Sequence, residues 1–145
     1  MCMFRGERRT IRGLAKREEA AVLEPIVFIS HSRVKAERLE PLRELSREAF
    51  QTLEETKPRT VLHHGFVSGD GSEVSFIHVF PDADAMDAHF VGAGDRAGSA
   101  ADYVETYQFE VYGRPSGQAL SVLEHTPGVE LVVHPDGLGG YTRLG

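Results

Sequence analysis

The stretch Val74-Ser75-Phe76-Ile77-His78-Val79-Phe80-Pro81-Asp82-Ala83-Asp84-Ala85-Met86-Asp87-Ala88-His89-Phe90 constrains the fold more than any other part of this chain. Its first half alternates Val74, Phe76, His78 and Phe80 against Ser75, Ile77 and Val79, the period of a strand. Both sets are substantially apolar, which suits a central strand covered on two sides. Pro81 stops the strand, and Asp82 can cap a helix by accepting a hydrogen bond from a first-turn amide. Asp84 falls at the positive end of that helix dipole. Ala83, Met86 and Phe90 then face inward, with His89 beside them. Gly92, Gly94 and Gly98 weaken the helix further along and are places for it to break.

A central strand needs neighbours, and the flanking sequence supplies them. Thr60 to Ser68 and Glu73 to Phe80 flank Gly69-Asp70-Gly71-Ser72, and Asp-Gly between two β-rich runs predicts a hairpin. Upstream, Ile26 to Ser32 is apolar and β-branched after Pro25, a strand. Ala36 to Thr56 carries Leu39, Leu42, Leu45, Ala49, Phe50 and Leu53 at helical spacing, with charged residues on the other faces. Pro41 fits such a helix only in its first turn. Downstream, Tyr107 to Tyr112 alternates as a strand, placing Glu110 and Tyr112 on one face and Tyr107 on the other. Residues 116–125 form a short helix and Val129 to His134 a last strand. Residues 1–24 read as a tail and 25–145 as one domain, with a core over 25–114 and an extension over 115–145. Strand, helix, strand, strand, helix, strand is the βαββαβ order of a ferredoxin-like α+β fold. Helices cover one sheet face, so a second copy of the chain is expected on the other.

Composition narrows the function classes. A net charge of -6 argues against a nucleic-acid partner, whose phosphates require clustered Lys and Arg. The one such cluster is Arg5, Arg8, Arg9, Arg12, Lys16 and Arg17 near the start. A single cysteine, Cys2, excludes an intrachain disulfide and a cysteine-based zinc site. No apolar run approaches the ~20 residues that span a membrane. No apolar signal segment follows the basic start, so a cytoplasmic location is expected. Walker, dinucleotide-binding and nucleophile-elbow motifs are absent from the sequence.

The element order, the hairpin entered by Val61-Leu62-His63-His64-Gly65-Phe66-Val67, and the Phe80 to Phe90 segment resemble the antibiotic biosynthesis monooxygenase domain family of the dimeric α/β-barrel superfamily. The resemblance covers roughly Pro25 to Tyr112. In that family a strand ending in an aromatic leads to an acidic cap and a helix bearing a histidine; Phe80, Asp82 and His89 stand in those places. The sequence departs from the family in two regions. His78 and Phe80 replace a frequent carboxylate and tryptophan, and Val91 to Arg96 lacks a frequent second histidine.

The resemblance implies a homodimeric, cofactor-independent monooxygenase acting on a small aromatic, phenolic or quinol substrate. Its rival is a non-catalytic dimeric module of the same fold that binds a small ligand. The expected catalytic residues are His89 and His78, and the expected substrate-binding residues are His64, Phe76 and Tyr112. Each has a plainer alternative. His89 can be a surface-helix histidine, His78 a core histidine satisfied by a backbone carbonyl, and Tyr112 an edge or interface tyrosine. His63 and His64 must point to opposite faces, so only one of them reaches a given pocket, and His64 is preferred here. The resemblance implies no cofactor, and no metal is expected because no metal-binding histidine motif appears. Histidines 31, 63, 78 and 89 can converge only through tertiary structure.

Overall fold

The tip at Asp70-Gly71 sets the register on which the rest of the site depends. Asp70 Oδ1 accepts hydrogen bonds from the Ser72 amide (3.0 Å), Ser72 Oγ (2.6 Å) and Ser68 Oγ (2.8 Å). Gly71 turns the chain at φ +76°, a conformation side chains disfavour. Strand β2 (Leu62–Val67) is thereby held antiparallel to β3 (Glu73–Phe80), with Val67 opposite Val74 and His63 opposite His78. The structure is a computed structural model that describes residues 24–143. Cys2, the basic cluster between Arg5 and Arg17 and the rest of residues 1–23 lie outside the described residues.

Strand β1 (Ile26–Val34) runs between β3 and β4 (Val104–Tyr112), antiparallel to both, and β5 (Glu130–His134) adds parallel to β4. The sheet order is β2-β3-β1-β4-β5. With helix α1 (Leu39–Thr56) between β1 and β2, and α2 (Ala83–Phe90) and α3 (Ala93–Ala100) between β3 and β4, the first four strands make the ferredoxin-like unit. Helix α4 (Gly117–Glu124) and β5 extend the chain's own sheet.

Local chemistry explains the boundaries. Helix α1 starts at Leu39 rather than Ala36, because Glu37 takes a positive φ of 62° and Arg38 becomes the cap residue. Pro41 therefore sits in the first turn, where no intrahelical amide is needed. Asp82 caps α2 by accepting from the Ala85 amide at 2.8 Å. That helix ends before Gly92, whose φ of +83° breaks the run, and α3 starts anew.

Strand β4 begins three residues earlier than alternation indicated and carries a β-bulge. His31 faces Gln108 while the next residue, Ser32, faces Thr106. Tyr107 is the extra residue, and the bulge corrects its expected orientation. It lies on the same sheet face as Glu110 and Tyr112, with the Arg33 guanidinium 4.2 Å from its ring centroid.

All the described helices meet one sheet face, and they fill it unevenly. Ile26, Phe28, Phe80, Met86, Val111 and Leu123 form the main buried cluster with Ala85 and Ala119. Phe80, Met86 and Val111 are wholly enclosed, each worth about 1.5–3 kcal/mol by burial. Leu42, Val74 and Val104 form a second cluster. Helix α1 buries only Leu42 and Leu53, and α3 buries no residue. Leu45, Ala49 and Phe50 of the α1 apolar stripe line a cleft, together with Leu42 and Leu53.

Candidate active site

That cleft has a volume of about 1100 Å³ and lies between the inner sheet face and helices α1 and α3. Its walls are mostly apolar, with Phe28, Phe50, Phe76, Phe90 and Phe109 supplying aromatic surface. A volume of this order suits a drug-sized or polycyclic ligand. Its polar residues include His63, His78, His89 and Arg96, with Ser30, Ser32 and Thr106 further along the sheet.

The three histidines come from three elements. His63 and His78 are opposed across the β2–β3 ladder, and their rings stack with centroids 4.1 Å apart. His89, from the last turn of α2, meets both edge-on at 5.2 Å. One ring nitrogen from each lies within 4.8 Å of the others. His78 Nδ1 donates to the Phe28 carbonyl at 3.0 Å. A carbonyl can only accept, so the neutral His78 ring keeps its lone pair on Nε2. His89 Nδ1 is hydrogen-bonded to Thr60 Oγ1 at 2.8 Å. His63 Nδ1 is buried without any hydrogen-bond partner, and its ring meets Phe50 edge-on at 4.8 Å.

Burial dominates the electrostatics. Desolvation pushes His89 down to about 3, with His63, Arg96 and Lys57 adding to the effect. It pushes His63 to about 4, helped by Arg96 and His64. His78 is held well below its ordinary value by burial and by the other two imidazoles, against the opposing pull of the Phe28 carbonyl. All three rings are therefore neutral near pH 7. The cations are held at the end of α2. Arg96 donates to the His89 and Val91 carbonyls (2.5 and 3.0 Å), and Lys57 Nζ to those of Ala88 and Val91 (2.9 and 3.1 Å). Both charges thus satisfy carbonyls that a helix C-terminus leaves without partners.

His89, His78 and Phe76 line the cleft. His89 is only 3% exposed, so it is not a surface-helix histidine. His64 and Tyr112 are corrected. His64 points to the opposite, exposed face, and the member of the pair that enters the cleft is His63. Tyr112 is on that outer face too, donating to Glu110 Oε2 at 2.6 Å and stacked on His134. His31 is there as well. It bridges Ser75 Oγ (2.8 Å) and the Glu110 carboxylate, so it does not converge with the other three. Thr60, Lys57 and Arg96 carry no motif that would have singled them out.

No protein-family model matches the sequence, and no curated protein matches it significantly. Solved structures do share its fold. MupZ from Pseudomonas fluorescens superposes with a TM-score of 0.65 at 12% identity, over 83% of this chain and 95% of its own. SnoaB, a cofactor-independent oxygenase from Streptomyces nogalater, gives 0.54 at 14% identity, over 64% and 95%. A protein from Bacteroides thetaiotaomicron provisionally named an antibiotic biosynthesis monooxygenase gives 0.51 at 16%, over 61% and 85%. The chain therefore has the ferredoxin-like α+β fold of the antibiotic biosynthesis monooxygenase proteins. No described helix is long and apolar enough to cross a membrane.

Proposed function

We propose that the protein is a cofactor-independent monooxygenase for a small aromatic substrate of the phenol or quinol class, bound in the cleft. The observation that carries this reading is the group of three neutral, desolvated histidines in an otherwise largely apolar cleft. The fold it shares with a cofactor-independent oxygenase supports it. In such chemistry the substrate supplies the electrons. A phenol loses its proton, and the phenolate reduces dioxygen. The resulting peroxide loses water, so that a ring C–H becomes C=O.

The residues suit the parts of this reaction. His89, held by Thr60, is the base. A free imidazolium in this cleft is unfavourable, but one formed beside a phenolate is part of an ion pair, so proton transfer is coupled to charge formation. Arg96 and Lys57 lower the energy of the phenolate from the end of α2, and His63 and His78 lie alongside. The aromatic walls keep water from the reacting anion.

The test is oxygen uptake by chelator-treated protein with a panel of hydroquinones and polycyclic phenols. Uptake above autoxidation that collapses in His89→Ala is expected. Uptake at the autoxidation rate across the panel, or undiminished in the variant, would overturn the assignment. We infer further that a second copy covers the outer sheet face, where Leu62, Phe66 and Tyr112 are 37%, 57% and 37% exposed. Sedimentation should show a dimer that Phe66→Glu dissociates, and a monomeric wild type would remove that inference.

A further inference from the structure

The cleft holds more lone pairs than the proposed reaction uses. His63 is desolvated, stacked on another imidazole, and has a buried nitrogen with no partner. A buried nitrogen without a partner is destabilising, so a leucine would serve β2 better if packing were the only requirement. His78 is fixed by a main-chain carbonyl in the tautomer that leaves Nε2 free to accept or to coordinate. His89 is oriented by Thr60. Outer partners of this kind are how metal-binding imidazoles are commonly held in place.

We propose that His63, His78 and His89 form a three-imidazole site for one divalent transition-metal ion of the zinc or cobalt type, with its remaining position open to the cleft. The three nitrogens already lie within 4.8 Å of one another. Closing on an ion at about 2.0–2.1 Å from each would bring the nitrogens to about 3.3 Å apart, the spacing of tetrahedral geometry. All three donors are imidazoles, which selects borderline metals and disfavours magnesium and calcium, whose sites are built from oxygen. Rings that stay neutral near pH 7 need no deprotonation before they coordinate.

Arg96 and Lys57 oppose a bare cation. Their charges are engaged with the α2 carbonyls, and what remains favours an anion, such as hydroxide or a phenolate, in the fourth position. The inference goes beyond the oxygenase reading and does not depend on it. A metal takes the lone pair that His89 would use as a base, so loading the site shuts off metal-free turnover.

The experiment is a titration of the chelator-stripped full chain with Co²⁺, followed by visible absorption and by calorimetry. One ion per chain is expected, with the intense visible bands of four-coordinate cobalt. His63→Leu should weaken binding by more than about 100-fold, the upper end of what loss of an outer partner brings. His64→Ala and His31→Ala should bind as wild type does. Thr60→Val touches no ligand and should weaken binding by about 10–100-fold, which gives a second reading if His63→Leu folds poorly by circular dichroism. The proposal is overturned if no stoichiometric cobalt binds, or if affinity is unchanged in both His63→Leu and Thr60→Val. Oxygen uptake of the stripped protein is read separately. A failed cobalt titration leaves it untouched, and failed uptake leaves the cobalt spectrum untouched.

Discussion

His63 and His64 are adjacent in sequence, yet they belong to two different electrostatic environments. His63 faces the helices, loses most of its hydration and stacks on His78, and its pKa falls to about 4. His64 faces outward on the exposed side of the same sheet. The contrast extends across the two faces. Inside, three imidazoles meet with no carboxylate among them and stay neutral. Outside, His31 and Tyr112 converge on Glu110 and hold its carboxyl below its ordinary value by hydrogen bonds, Tyr112 first. The same residue type becomes a latent base or ligand on one face and part of a hydrogen-bonded network around a carboxylate on the other. Solvent access makes the difference, because burial penalises charge and no carboxylate belongs to the imidazole cluster itself.

The largest expected effect tests that contrast at the chemistry. His89→Ala should lower turnover by about 10²–10⁴-fold, the usual contribution of a general base, while His64→Ala leaves the rate unchanged. Steady-state oxygen uptake would show both, and equal losses in the two variants would erase the distinction between the faces. Packing should follow the same division. Phe80→Ala, in the enclosed cluster, should cost about 3–5 kcal/mol in urea unfolding. Phe66→Ala on the outer face should fall within about 0.5 kcal/mol in the isolated chain.

A smaller effect is expected from acid. The folded pKa values of His63 and His89, about 4 and about 3, lie below the unfolded value of 6.5. Between those limits the unfolded chain binds more protons than the native one, so stability is full above pH 6.5 and declines as pH falls toward 4 and then 3. After allowance for partial exposure, the loss between pH 7 and pH 5 should be on the order of 2 kcal/mol for the cluster. Urea midpoints at the two pH values measure it. A flat profile would mean that the inner histidines are solvated.

The smallest effect has the opposite sign. His63→Leu removes a buried nitrogen that has no partner. It should raise stability at pH 7 by about 1 kcal/mol and flatten part of the acid loss. A destabilised His63→Leu would show that the imidazole is held for packing.

Much of this was legible in the sequence. The Asp70-Gly71 turn, the Asp82 cap and the apolar stripe of α1 predicted element order and fold class, since each acts within a few residues. More could have been read. Residues equidistant from the Asp70-Gly71 tip face each other in a two-stranded hairpin, so placing His78 in a pocket selects His63 and rules out His64. Alternation alone missed this, because it fixes faces within a strand and leaves the relation between strands open. Tyr107 shows the reverse failure. Strict alternation sent it to the wrong face, because a bulge forms only where β4 meets β1 and leaves no mark in local periodicity.

By itself, then, the sequence determined a ferredoxin-like α+β chain with a hairpin and a capped histidine helix. Tertiary structure alone decided that α1 and α3 would roof a cleft rather than fill it, and that His63, His78 and His89 would meet there. It also set Thr60, Lys57 and Arg96 beside them. Secondary structure follows from interactions between near neighbours. The approach of residues 63, 78 and 89, and the loss of water that keeps their rings neutral, exists only once the sheet is paired and the helices lie across it.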